Sequence, residues 1–341
     1  MQIYLGGTNV TQLVTDVSTT GSRKECARTL RASIVQSPAD KNLPVVKVSN
    51  GMPVAMQADG QYFAGMVFSY SSSTASNKID LVAKDHGIFI KRNKITYKVK
   101  KLTAEAAAAD ICAEYGMPVG SLAPTGFVFS RNFMGVSMYD AIMTGYALAA
   151  AENEKKYQLL MEGTSVSVIE RGSYIAAVIA EGENLIEASY SESIENMVNQ
   201  VDIYGKDGKL KQSVTGDQSY GIMRDQVVLT DKEDGVAKAE QMIRDHGMTR
   251  SGSVRNIGNA ACIAGAAVMI RESFTGLWGK FYIECDTHNW KSGTYTNALT
   301  LAWENTMDAK AAGAELKRKG KPRPKGTAQF VDPEGKPYEW D

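Results

Sequence analysis

Between residues 44 and 85, apolar and polar side chains alternate in short runs, and each run ends at residues suited to a tight turn. The stretch reads PVVKVSNGMPVAMQADGQYFAGMVFSYSSSTASNKIDLVAKD, broken at Asn50-Gly51, at Asp59-Gly60 and at a serine-rich loop. A period of two puts alternate side chains on opposite faces of a strand, and both glycine pairs supply the positive φ of a two-residue hairpin turn. Short strands at this spacing predict a small antiparallel barrel or sandwich over residues 1–97. The chain is therefore expected to be β-rich and multidomain, and helical stretches beyond residue 97 make its class α+β.

The period changes after residue 97. Thr103 is placed to cap a helix over TAEAAAADICAEYG, with Ala108, Ile111, Cys112 and Tyr115 on one face and Gly116 and Pro118 ending it. Ser137 and Asp140 have capping-box spacing for a second helix that carries Ile142, Tyr146 and Ala149. KYQLLME and TSVSVIERG then read as a hairpin, so residues 98–185 form a small α+β module. Strand patterning returns over 186–307, where VDIYGKDGKLKQSV is two strands around Asp207-Gly208. A helical insertion near 230–247 has Thr230 and Glu233 as a capping box, Val236, Ala239, Met242 and Ile243 as its apolar stripe, and Gly247 as its end. His246 falls in its last turn, where a cation interacts favourably with the helix dipole. Residues 308–341 read as an arm, first basic and proline-bearing, then acidic with Phe330, Tyr338 and Trp340 as candidate partner contacts.

One stretch holds an unusual density of reactive side chains. FYIECDTHNW, residues 281–290, read as a regular strand, puts Phe281, Ile283 and Cys285 on a buried face and Tyr282, Glu284, Asp286 and His288 on a polar one. Cys285 and His288 then point to opposite sides and form no thiolate–imidazole pair. After the turn KSGT, Leu299, Leu301 and Trp303 alternate again, which completes a hairpin.

The remaining chemistry is sparse. Cys26, Cys112, Cys262 and Cys285 are scattered without a CxxC pair, which predicts reduced thiols and no zinc site. The only histidines, His86, His246 and His288, lie in different segments, and no nucleophile elbow, HExxH, P-loop or GxGxxG motif is present. Asp110 and Glu114 stand one helical turn apart, a spacing far commoner for solvating charge than for acid–base catalysis. No catalytic, cofactor-binding or metal residue is expected. With 38 basic and 38 acidic residues the chain has no overall field for nucleic acid or an anionic membrane. The basic runs at 91–101 and 310–325 lack the interleaved aromatics of a single-strand binder, so no specific nucleic-acid partner is expected. The start lacks the basic and apolar regions of a secretion signal, and the run AACIAGAAVMI at 260–270 is far too short to span a bilayer. A soluble protein made in a bacterial cytoplasm, without membrane insertion, is expected.

Three stretches together resemble a known family: YGMPVGSLAPTG from Tyr115, GENLIEASYSESIENMVNQVDIYGKDGK from Gly182, and GLWGKFYIECDTHNWKSGTYTNALTL from Gly276. They are similar to the XkdQ/YqbQ group of PBSX-type prophage proteins, related to gp27-like and late-control-D baseplate hubs, over about residues 1–305. The resemblance implies a structural protein of a virion or tail-like particle. It implies a homotrimer in which each chain gives two tube-like antiparallel β-barrel domains, 1–97 and 186–307, joining a hexameric tail tube to a trimeric spike. Its implied partners are the tube protein, the spike protein, other baseplate proteins and the tape measure. Two competing readings are a peptidoglycan-binding or wall-degrading component of the same machine, resting on residues 98–185, and a DNA-binding adaptor resting on the basic runs.

Overall fold

The computed structural model describes residues 1–37, 40, 44–229 and 234–316. The first β-rich region supplies β1 (Gln2–Leu5), β2 (Thr8–Asn9), β3 (Val14–Ser22), β4 (Glu25–Val35), β5 (Pro53–Ala58), β6 (Gln61–Ser73) and β7 (Lys78–Asp85). They pair in the order β3-β4-β7-β6-β5-β1-β2, all antiparallel. Asp59 and Gly60 both take positive φ between β5 and β6, as a two-residue hairpin requires. One side of these strands buries Ile3, Leu5, Leu30, Ile34, Met56, Phe63 and Leu81 in a common core.

The chain then enters α1 (Gly87–Arg92), β8 (Lys94–Thr103), α2 (Ala104–Glu114), β9 (Val119–Leu122), β10 (Val128–Ser137), α3 (Met138–Asn153), β11 (Tyr157–Glu162) and β12 (Ser165–Glu170). Thr103 and Ser137 cap α2 and α3 by accepting from Ala106 N at 3.3 Å and Asp140 N at 2.9 Å. The buried positions of α2, Ala104, Ala107, Ala108, Ile111 and Cys112, follow the helical spacing that places one stripe against a core. Tyr115, expected on that stripe, is instead 38% exposed, because the helix ends at Glu114 and the chain turns away at Gly116. In α3, Gly145 lets the helix approach β10: a Cβ there would lie 2.9 Å from the Phe129 ring.

After β13 (Ile175–Ala180) and β14 (Leu185–Ser193), a three-stranded sheet is inserted, formed by β15 (Gln200–Tyr204), β16 (Leu210–Thr215) and β17 (Arg224–Val228), with α4 (Gly235–Asp245) upon it. Its core is Val201, Ile203, Val227 and Ala239, with Val236, Met242 and Ile243 packed on them. The helix cap is Asp234, accepting from Val236 N and Ala237 N, rather than Thr230. Thr230 and Glu233 lie outside the described residues. The helix stops at Asp245, before Gly247, and His246 closes it with Nδ1 3.1 Å from Met242 O.

The last strands are β18 (Thr249–Ile257), β19 (Ala267–Arg271), β20 (Trp278–Lys291), β21 (Thr294–Ala302) and β22 (Ala314–Glu315). Ser292 and Gly293, both at positive φ, turn β20 into β21. Strand order runs β14-β18-β21-β20 and continues directly into β3, so the early and late strands share a single 13-stranded sheet. β19 pairs the start of β20, and β13 lies parallel to β19. Between β13 and β14, side-chain amides stand in for strand pairing: Asn184 donates to Val178 O and accepts from Ala180 N, and Asn259 reaches Ala176 O. β22 adds to the edge of β10, tying residues 308–315 across the module with Tyr139 donating to Asp308 and Ala312 N to Thr144 Oγ1.

Replacing Gly145 by valine forces the branched side chain into Phe129 and is expected to lower stability by about 1–3 kcal/mol, read as a shift of the urea unfolding midpoint.

Candidate functional site

The stretch FYIECDTHNW is a strand, but its faces are not those of a regular one. The register against β21 shifts between Ile283 and Cys285, leaving Glu284 as an extra residue. A bulge of this kind exchanges the two faces from that point on. Phe281 and Ile283 are buried before it, and Asp286, His288 and Trp290 are buried after it, while Cys285 becomes half-buried on the other side. The alternation expected from sequence therefore fails at Cys285, Asp286 and His288 and for this single reason. Cys285 and His288 still face opposite ways.

The inward side chains build a joint between three parts of the chain. Asp286 is fully buried; its carboxylate pairs with Arg28 of β4 and accepts from Ala264 N at 2.6 Å. Gly21 lies opposite Asp286 on β3, where a Cβ would come within 2.5 Å of the Arg28 guanidinium. Asn297 Oδ1 accepts from Asn259 N at 2.6 Å, which orients its amide to donate from Nδ2 to His288 Nδ1 at 2.9 Å. The Tyr295 hydroxyl also reaches His288 Nδ1, at 2.7 Å. With Nδ1 accepting, the ring proton sits on Nε2, 3.3 Å from Asp286 Oδ2. Trp290 Nε1 donates to Asp59 Oδ2, and Gln61 to Ala260 O, so the β5–β6 turn is held to the later strands. The bulged Glu284 bridges Arg23 of the first region and Arg171 of the module. Arg171 is 2% exposed and also holds Gln158 and Ile283 O.

Burial alone pushes the Asp286 carboxyl up, but Arg28 and His288 beside it hold it well below the usual carboxylate range. Nearby Asp85 goes the other way. Burial pushes it up to about 6, although it accepts from Arg28 N and Gly87 N.

On its outward side the same sheet presents a polar face that crosses from the early strands to the late ones. The pairs Ser22–Cys285, Thr20–Thr287 and Ser18–Asn289 align across β3 and β20, and the two threonine hydroxyls meet at 3.3 Å. The rows continue through Thr29 and Ser33 on β4, Thr296, Ala298 and Thr300 on β21, and Ser251 and Ser253 on β18. None of these side chains is buried. Ionic groups on it are of both signs, with Asp16, Asp80 and Glu187 beside Arg31, Lys78, Lys84, Arg255 and Lys291.

The other residues singled out in the sequence are dispersed. Cys26, Cys112 and Cys262 are buried free thiols, pushed up by burial to about 12, 11 and 12. Asp110 and Glu114 are exposed on α2. His86 precedes α1, and His246 is exposed at the end of α4, both far along the chain from His288. Phe330, Tyr338 and Trp340 lie outside the described residues. Among the described residues no cluster of three or more His, Cys, Asp or Glu is arranged to hold a metal, and no helix is long and apolar enough to cross a membrane. Sequence reasoning missed Arg28 and Arg171, since their acidic partners Asp286 and Glu284 lie more than a hundred residues away in the chain.

The β-rich α+β fold is similar to those of solved tail proteins. It matches the 43 kDa tail protein of prophage MuSo2 from Shewanella oneidensis with a TM-score of 0.66 at 13% identity, over 88% of this chain and 95% of that one. It also matches the Escherichia coli c3393 protein, described as a component of the type VI secretion system similar to T4 tail proteins gp27 and gp5, with a TM-score of 0.51 at 8% identity over 92% and 80% of the two chains. The profile of the YqbQ-like family matches residues 17–302, and the chain belongs to that family. One relative, the phage-like element PBSX protein XkdQ of Bacillus subtilis (strain 168), is 22% identical over 306 residues, 85% of this chain and 93% of XkdQ.

Asp286→Ala strands the Arg28 charge and the Ala264 N–H inside the joint and is expected to destabilise the fold by about 3–5 kcal/mol. Paired replacement of Arg28 and Asp286 by apolar residues recovers most of that loss in the same urea titration. The pH profile has two limbs. Asp85 is raised, so its protonation favours the folded chain and stability rises as pH falls from 7 through about 6. Asp286 is lowered, so its contribution is complete above the ordinary carboxyl value near 3.8 and is lost as pH falls towards the folded value. From these two groups unfolding midpoints should peak near pH 4, and Asp85→Asn should flatten only the limb between about 4 and 7.

Proposed function

We propose that this chain is a structural hub at the tip of a phage tail or tail-like particle, where three copies form a ring between the tail tube and the spike. The carrying observation is the outward sheet face, continuous across the β3–β20 pairing and rich in small hydroxyl side chains, with charges of both signs among them. A channel wall for a passing polyanion must be wetted without retaining it. Each lysine or arginine seated on a phosphate adds counterion-release affinity, so a wall rich in serine and threonine lets a nucleic acid slide past.

In this reading residues 1–97 and 186–307 act as two tube-like barrel domains and 98–185 as a module on the outside of the ring. Three chains with two such domains each present six similar surfaces, the number that a sixfold tube needs. The names of its relatives support the assignment: XkdQ is a PBSX protein, and the MuSo2 protein is a tail protein. The partners are then the tube protein, the spike and neighbouring baseplate proteins, and the chain works by position rather than by catalysis.

The test is to induce a producer strain, purify tail-like particles, and label them with an antibody to this chain for negative-stain microscopy. Label confined to the distal end of the tube is expected. Intact particles without the chain would contradict the proposal.

A further inference from the structure

Around the Arg28–Asp286 pair the three parts of the chain do not close completely. Gly21, Arg28 and Ala264, which enclose the Asp286 carboxylate, also face a cavity of about 380 Å³. Its other walls are β4 and the β5–β6 turn of the first region, β11 of the module, and Tyr174, Ala260 and Ile263 of the late region. Small-molecule sites have this size and are concentrated at such junctions. Gly163, in the left-handed region, brings the β11–β12 turn against Tyr62: a Cβ there would lie 3.6 Å from the ring.

The lining combines three kinds of group. Leu160, Met161, Ile169 and Ile263 are apolar, and two tyrosines, Tyr62 and Tyr174, are 57% and 41% exposed. Of the charged side chains, Arg28 is paired with Asp286 and Glu25 with Lys91. Glu162 accepts from Ser167 Oγ at 2.8 Å but meets no cation among the described residues. Cys26 and Tyr174 are neutral at ordinary pH, because burial pushes both groups up. One carboxylate is thus left without a counter-charge beside two aromatic rings. An anion would meet Glu25 and Glu162 with no free cation in return, and a purely apolar molecule would strip water from Glu162 without replacing it. A positive group on an apolar stem satisfies both demands, since aromatic faces attract cations and a carboxylate pairs with them.

We propose that this cavity binds an organic cation, an alkylammonium or alkylguanidinium group, with its charge at Glu162 and its apolar stem against Tyr62 and Tyr174. A lysine or arginine side chain of an assembly partner and a free quaternary amine share this chemistry. The site stands independently of the hub reading. Because its walls come from all three parts of the chain, an occupant favours the arrangement in which they are joined.

Isothermal titration calorimetry of the full chain tests the site with three probes, N-acetyl-arginine methylamide, N-acetyl-lysine methylamide and tetramethylammonium, and with N-acetyl-norleucine methylamide as the uncharged control. Saturable binding of at least one cation at millimolar concentrations is expected, without saturable binding of the control. Preference for the two residue analogues assigns the site to a basic side chain of a partner, and preference for tetramethylammonium to a free quaternary amine. Glu162→Gln should weaken binding by about tenfold, and Tyr62→Ala should weaken it severalfold. Both side chains are exposed, so both variants should keep the folded circular dichroism spectrum. Glu240→Gln, on α4 and outside the cavity, should leave binding unchanged. Failure of all three cations to bind would overturn the proposal. So would control binding as tight as theirs, or undiminished binding by folded Glu162→Gln or Tyr62→Ala.

Discussion

The pairing of β3 with β20 is the constraint on which the rest of the molecule depends. These strands are more than 250 residues apart in sequence, and their pairing turns two β-rich regions into one sheet. Loop-closure entropy grows only slowly with the length of the intervening chain, so even so distant a pairing is affordable once side chains specify its register. The specification comes from both faces. Inside, Asp286 meets Arg28 across Gly21, and outside, Thr287 meets Thr20. A slip by one residue would expel Asp286 and His288 from their partners and bury Cys285 and Thr287 in their place.

Glu284 makes this arrangement compatible with the rest of β20. Before the bulge the strand serves an apolar core with Phe281 and Ile283; after it the strand serves the polar joint. The bulged residue is also put to use, since it joins Arg23 and Arg171. Replacing a buried ion pair by apolar residues is often neutral or stabilising, so the ionic character of the joint is better understood as specifying geometry than as adding net stability. Three segments that each have an apolar core of their own meet here through groups with directional demands.

Much of this was legible in the sequence. The caps at Thr103 and Ser137, the hairpins at Asp207-Gly208 and Ser292-Gly293, and the burial of Cys112 all follow from local chemistry acting over a few residues. What failed was non-local. The bulge at Glu284 depends on a partner strand, and no pattern within FYIECDTHNW announces it. The cap of α4 is Asp234 and not the Thr230 that capping-box spacing suggested, because the helix begins only at Gly235. The hydroxyl-rich face could be seen only in fragments, as VSTTGS near the start and TYTNALT near the end, because the register that aligns them belongs to the fold.

In the hub proposed for this chain, the sheet face built by β3 and β20 lines a channel. Electron cryomicroscopy of the particle tip, at a resolution sufficient to trace strands, decides whether it does. The expected map shows a ring of three chains with Thr20 and Thr287 turned towards the axis and the 98–185 module at the periphery. A map in which that face packs against another protein, or looks outward to solvent with the module at the axis, would refute the assignment.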